Sequence, residues 1–417
     1  MDKTKIGLHK RRLQILKSLS LLCLVSAASA LLAQTPRPLV APGSVPVGAA
    51  RPTGWVIGPA ITSPMLTINP KSGRWVNINE MLKVYGLDQL TGQGAGATIA
   101  IVDAFDSPNA ELDLNTFSTL YGLPACTTDN GCFTKASQRG GTDYPVRNSG
   151  WEVEINLDTQ WVHAIAPLAK IILVEADSNY DSDLYAAEAY AATVASVVSN
   201  SWSAGEYSGQ NFWDSYMTQA NVTYLASSGD SGGFIGYPST SAKVIAVGGT
   251  TIGLDTAANH WAVLFPVVET GWSGSGGGCS AYTPSLTYQK PLVPTICKKR
   301  AVPDLSMDAD PNSGVLVRVS LQGGYYRVGG TSLACPMTAA MIGIANGLRA
   351  GASKQPLSNT LMHLYDHGLS ATYSRDITSG TAGLWPFLWN STVGFDFVTG
   401  LGAPVANNLV PYLVSLP

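Results

Sequence analysis

Ala97-Thr98-Ile99-Ala100-Ile101-Val102-Asp103-Ala104-Phe105 decides the architecture. Apart from Thr98 and Asp103 every residue is apolar, with no alternation between polar and apolar positions. A strand of that kind is buried on both faces, as in a parallel sheet covered by helices. Four further stretches read the same way: Lys170–Ala176, Ser196–Trp202, Val222–Ser228 and Lys243–Gly249. Between the strands lie Ala110–Tyr121, Glu152–Ile165, Asp183–Thr193 and Asn211–Gln219, long enough to serve as crossover helices of right-handed βαβ units. The expectation is an α/β protein with a central parallel sheet and helices on both faces.

Outward from this core, the chain begins with Lys3, Lys5, Lys10, Arg11, Arg12 and Lys17, an apolar run Leu19 to Val25, and small residues at Ala28-Ser29-Ala30. That is the pattern of a secretory signal over residues 1–33. The apolar run is short for a membrane span, so cleavage and no stable membrane association afterwards are expected. Without it, 19 basic residues face 27 acidic ones, a net charge of −8. No basic patch points to nucleic acid. Residues 34–70 hold eight prolines among Gly and Ser and read as an extended leader, with the main domain at 71–417. Five cysteines follow the signal. Cys126 with Cys132 and Cys279 with Cys297 can pair in an exported protein, and Cys335 is left as a small core residue.

Three motifs can carry chemistry. In Gly329-Gly330-Thr331-Ser332-Leu333-Ala334-Cys335-Pro336 a serine stands where a helix would start and run through Met337 to Asn346, so it is either a cap or a nucleophile fed by the positive helix end. In Glu154-Ile155-Asn156-Leu157-Asp158 two carboxylates four residues apart share one helix face. In a cleft they would share a proton; on a surface they would be solvated charges. Glu152 falls on another face. In Ser228-Gly229-Asp230-Ser231-Gly232-Gly233, after a strand, Asp230 is either a turn residue or an acid at an anion site. The histidines that remain, His163, His260, His363 and His367, stand in no catalytic setting, and a His-Gly-Thr segment is missing.

Together these motifs resemble the sedolisin family of serine-carboxyl peptidases, kumamolisin-like members included. The likeness runs over about residues 90–410 in motif order, with Asn200-Ser201-Trp202 between the carboxylate pair and the Asp230 segment. The resemblance implies a subtilisin-like fold and an acid-active endopeptidase acting on proteins or peptides. Ser332 would be the nucleophile, Glu154 the general base, Asp158 its partner and Asp230 the oxyanion-site acid. It also implies one calcium ion, held by the side chains of Asp376 and Asp396 and the carbonyls of Ile377, Thr392 and Gly394. Thr392 stands where the family usually has glycine, and Ser203 where it has the glycine of Ser-Trp-Gly. Family precursors carry a large folded propeptide, whereas fewer than about 65 residues separate the signal from Gly92-Gln93-Gly94 here, so inhibition by such a domain is not expected. A secreted, extracellular monomer follows. The competing readings are a subtilisin-like protease using Asp103 with a histidine, and a non-catalytic secreted binding protein on the same scaffold.

Overall fold

The computed structural model describes residues 37–38, 48–52, 55–61, 75–255, 262–383 and 389–417. The signal segment, most of the 34–70 stretch and His260 lie outside the described residues. In chain order the elements that position the site are β1 (Arg51–Pro52), β2 (Trp55–Ile61), β3 (Thr98–Ala104), α1 (Ala110–Tyr121), β4 (Phe133–Ser137), α2 (Ser149–Ile165), β5 (Lys170–Ala176) and α3 (Asp181–Val194). They continue with β6 (Val197–Asn200), β7 (Trp202–Gly205), β8 (Thr223–Ser227), β9 (Val244–Ile252), β10 (Glu269–Gly271), β11 (Leu305–Asp308), β12 (Val315–Val319), β13 (Gly324–Gly329) and α4 (Thr331–Gly351).

The main sheet runs β10–β9–β8–β6–β3–β5–β4, with β11 also on β9. Every pairing is parallel except β9 with β10. β3 lies inside the sheet, between β6 and β5, and feeds both layers. Ile99 and Ile101 enter the core that contains Leu157, Trp161, Leu333 and Met337, while Ala100, Val102 and Ala104 enter the other, with Leu184, Tyr185 and Trp202. A strand whose two faces are both buried needs the unbroken apolar run seen in the sequence. α4 is the one described helix long and apolar enough to cross a membrane, and it is buried as the central core helix.

Two expected elements differ. Asn211–Gln219 forms a 3-10 segment over Gln210–Tyr216 in place of a crossover helix. Its aromatic residues are committed sideways, with Trp213 stacked on Tyr185 at 4.9 Å. The strand expected over Ser196–Trp202 breaks at Ser201 into β6 and β7. That break exposes a carbonyl that the nucleophile candidate uses.

Part of the proline-rich stretch is built onto the body. β1 pairs antiparallel with β7, and β2 pairs antiparallel with β13, which in turn pairs with β12. The disulfides Cys126–Cys132 and Cys279–Cys297 are formed, and Cys335 is a buried free thiol.

Candidate active site

The site is assembled at the carboxyl ends of the parallel strands, the edge where open α/β sheets place their chemistry. α4 begins directly after β13, and Gly330 makes the turn with φ near +114°, a conformation that a residue with a Cβ adopts only under strain. Ser332 is therefore the second residue of the helix and not its cap. It is fully buried, and its hydroxyl donates to the carbonyl of Ser201 at 3.3 Å, in the gap between β6 and β7. The helix start directs its positive end at this serine.

α2 supplies the carboxylate pair. Asn148 caps it by accepting from the N–H groups of Gly150 and Trp151, which fixes where the helix starts. Glu154 and Asp158 then fall one turn apart on a face that is 0 % exposed. Burial pushes the Glu154 pKa well up, the charges of Asp158 and Asp103 push it further, and the Ser332 hydroxyl pulls it back. Burial likewise raises Asp158, opposed by the Ser201 hydroxyl. Each carboxylate thus answers to one hydroxyl of the site. Crowded acids in a dry pocket hold fewer negative charges than carboxyl groups, so a proton is shared among them. Glu152, the competing acid, is paired with Arg147 and takes no part.

Asp103 is the residue whose place the sequence reading missed. It was assigned only to the competing histidine mechanism. In the structure it is the penultimate residue of β3, beside Asp158, with neither oxygen hydrogen-bonded among the described residues. Burial, Asp158 and Glu175 together raise its pKa well above the usual carboxylate value. Glu175, opposite Asp103 on β5, is raised to about 8 by burial and approaches Lys135 at 3.5 Å. The signal available in the sequence was its position: a carboxylate at the carboxyl end of a central parallel strand. No described histidine serves this site. His163 is bonded through Nε2 to the Pro124 carbonyl, His363 pairs with Asp366, and His367 stacks on Tyr373.

Asp230 follows β8 in a glycine turn. Its Oδ1 accepts from the N–H and the hydroxyl of Thr331 at 2.8 and 2.7 Å, while its buried Oδ2 has no partner among the described residues. Burial raises its pKa to about 7, against the Thr331 bonds and the Arg51 charge. The arrangement leaves one carboxyl oxygen anchored beside Ser332 and the other bare. The glycine cluster 274–278, expected near substrate, braces this turn from behind: the N–H groups of Gly232 and Gly233 donate to the carbonyls of Gly274 and Ser275, and Gly276 donates to Gly229.

The five residues assigned to calcium also converge. Asp376 Oδ2 accepts from the Gly394 N–H at 2.9 Å, and Asp396 accepts from the N–H groups of Thr392, Val398 and Thr399 at 2.8 to 2.9 Å. Asp376 Oδ1 is buried and bare among the described residues. Among the described residues no backbone N–H donates to the carbonyls of Ile377, Thr392 or Gly394. A bare carboxylate oxygen with free carbonyls around it suits a hard cation.

Comparison with known proteins places this geometry in a class. The subtilase family profile matches residues 149–379, more than half of the chain. Sedolisin from Pseudomonas sp. (strain 101) is 28% identical over 285 residues, covering 60% of this chain and 41% of that protein. Tripeptidyl-peptidase sed4 from Aspergillus fumigatus is 30% identical over 255 residues, covering 48% of this chain and 39% of its own. The matched region thus spans well under half the length of these relatives. Among solved structures, Pseudomonas sedolisin, titled a serine-carboxyl proteinase, superposes with a TM-score of 0.68 at 24% identity, over 82% of this chain and 98% of that one. A lanthipeptide protease superposes with a TM-score of 0.52 at 13% identity. The chain belongs to the subtilase family, and within it to the sedolisins. Its fold is the subtilisin-like one that the resemblance implies, built on the parallel sheet that the apolar strands predict.

Proposed function

We propose that this chain is an acid-active serine-carboxyl endopeptidase that cleaves proteins or peptides through an acyl-enzyme on Ser332. The observation that carries the reading is the convergence of a buried carboxylate pair on one turn of α2 with a serine at the start of α4, where no described histidine stands. Glu154 takes the Ser332 proton as the hydroxyl oxygen attacks the peptide carbonyl, and Asp158 shares that proton. Asp230, protonated, donates from Oδ2 to the developing oxyanion. Collapse of the tetrahedral adduct returns the proton to the leaving amine and leaves the acyl group on Ser332. Water then attacks, with Glu154 again as base, and releases the second product.

Both pKa directions bear on pH. Asp230 must hold its proton, which it does below about 7. The carboxylate cluster must have released one proton, and burial delays that release. Activity therefore peaks below neutrality. Hydrolysis of denatured casein from about pH 2 to 8 tests this, with Ser332→Ala and Glu154→Gln as controls. Acid-optimal turnover lost in both variants supports the reading; turnover that survives Glu154→Gln, or peaks at neutral pH, overturns it. Internal peptides among the products mark an endopeptidase, whereas release of tripeptides alone would align the chain with the relative named as a tripeptidyl-peptidase.

The same reading includes one calcium ion on Asp376, Asp396 and the carbonyls of Ile377, Thr392 and Gly394. Such an ion neutralises two carboxylates and ties the 376–377 and 392–396 segments together, away from the bond-breaking steps. It also includes export as a monomer after removal of residues 1–33, which N-terminal sequencing of the secreted product and its elution volume would test.

A further inference from the structure

Glu188 is a buried acid that the chemistry proposed above leaves unused. It lies in the inward stripe of α3 with Leu184, Tyr185, Ala191 and Ala192, and none of its surface reaches solvent. No cation among the described residues acts on it. Its Oε1 accepts from Asn200 Nδ2 at 3.3 Å, and its Oε2 has no partner among the described residues. The titratable groups that face it are Tyr185, one turn earlier on α3, and Tyr224 on β8; burial raises both phenols and Glu188 adds to the rise. The other acids of α3 are turned elsewhere, Asp181 to the Tyr207 hydroxyl and Asp183 to Ser178. Burial lifts the Glu188 pKa to about 8 against the Asn200 bond, so in acid it stands as a neutral carboxylic acid.

Its partner Asn200 closes β6, and contacts fan out from there to the nucleophile. Asn200 Nδ2 also donates to the Leu225 carbonyl of β8 at 3.0 Å. The Asn200 carbonyl accepts from the Ser227 hydroxyl at 3.4 Å and from the Cys335 thiol at 3.7 Å. One residue thus ties α3, β8 and α4 to the end of β6, immediately before the strand breaks. Successive side chains alternate across the sheet, Ser199 toward Cys335 of α4 and Asn200 toward α3 on the other face. Ser201, the next residue, touches both halves of the site. Its carbonyl accepts from the Ser332 hydroxyl and its hydroxyl donates to the Ser332 carbonyl, each at 3.3 Å, and the same hydroxyl acts on Asp158. Any shift of Asn200 is therefore carried across a single peptide unit to the nucleophile. An apolar side chain of similar size would be less costly to bury than a lone acid, which leaves geometry as what the acid supplies.

Resting on the proposed serine-carboxyl mechanism, we propose that Glu188 is a positioning residue for Ser332: through Asn200 it fixes where the chain breaks at Ser201, and so aligns the nucleophile with Glu154 and Asp158. Glu188 lies across the sheet from the reacting groups, touches none of them and moves no proton in the cycle. Its hold on Asn200 needs only an acceptor oxygen, which a neutral acid and an amide supply equally.

The test measures kcat and KM for casein in acid with the wild type, Glu188→Gln, Glu188→Leu, Asn200→Ala and the double variant Glu188→Leu/Asn200→Ala, each assayed well below its own Tm. Glu188→Gln is expected to keep both constants within about twofold, because the acceptor oxygen remains. Glu188→Leu is expected to lower kcat roughly tenfold or more with KM little changed, as a displaced nucleophile does. Asn200→Ala should match that loss, and it carries the test if the leucine variant does not fold. The double variant should lose little further, since the two residues act through one contact. Wild-type kcat in both Glu188→Leu and Asn200→Ala, a Glu188→Gln variant that falls as far as Glu188→Leu, or losses that multiply in the double variant overturn this inference and leave the proposed activity standing. A wild type that does not hydrolyse casein overturns the proposed activity and this inference with it.

Discussion

On the proposed mechanism, Asp230 couples the protonation state of the site to its capacity to stabilise charge. Its anchored Oδ1 and bare Oδ2 make it a donor only while protonated, and burial holds its pKa at about 7. Asparagine keeps the shape and donates at every pH. Asp230→Asn is therefore expected to flatten the fall in kcat/KM above about pH 6, whereas Asp230→Ala costs roughly 10²- to 10³-fold at all pH values. A pH-rate profile of the three proteins checks this. Ser332→Ala and Glu154→Gln should each lower kcat by roughly 10³-fold or more, and the double variant little further, since the two act as one unit. At this scale the sequence was readable where chemistry demands a fixed spacing, as in Glu154 and Asp158. It was opaque for Asp103, because contact between β3 and α2 is a property of packing and not of distance along the chain.

Among elements, α2 and α4 do most to fix the site. α2 owes its start to Asn148, whose side chain accepts two otherwise unpaired N–H groups. Asn148→Ala is expected to destabilise the protein by about 1 kcal/mol, measured by chemical denaturation. Gly330 has no such substitute. Gly330→Ala places a Cβ on a left-handed φ and costs roughly 1 to 3 kcal/mol of strain, delivered at the turn that presents Ser332. The expected outcome is a larger loss in kcat than in global stability. Strand runs were legible because burial on both faces leaves a compositional mark. The Gln210–Tyr216 segment was not, because its aromatic side chains serve tertiary stacking in a stretch that otherwise looks helical.

The whole molecule carries several buried acids whose pKa values are raised by burial: Asp230 to about 7, Glu175 to about 8 and Glu188 to about 8. In the unfolded chain these groups release their protons near the ordinary values of 3.8 to 4.5. Between about pH 4 and 8 the folded state consequently binds more protons than the unfolded one, so stability falls as pH rises through that window. Tm is expected to be higher at pH 4.5 than at pH 8, by differential scanning calorimetry. Chelation should act independently of this trend. If the calcium reading holds, EGTA lowers Tm at pH 6, and Asp376→Ala reproduces the drop without further sensitivity to the chelator. The sheet and its two layers were legible at this scale. The pairing of Arg51–Pro52 with β7 and of Trp55–Ile61 with β13 was not, since their prolines mask strand character and their partners lie more than a hundred residues away.

Both carboxylates of the pair ride on one turn of one helix, and on the proposed mechanism this makes the proton relay a single interchangeable part. Motion of α2 as a body alters its approach to Ser332 but not the spacing inside the pair. Substitutions elsewhere can therefore retune the approach without dismantling the relay. An engineer seeking activity nearer neutrality would do well to leave that turn untouched and reshape the Asp230 loop, because the two halves of the pH response reside in separate, independently replaceable pieces of the chain.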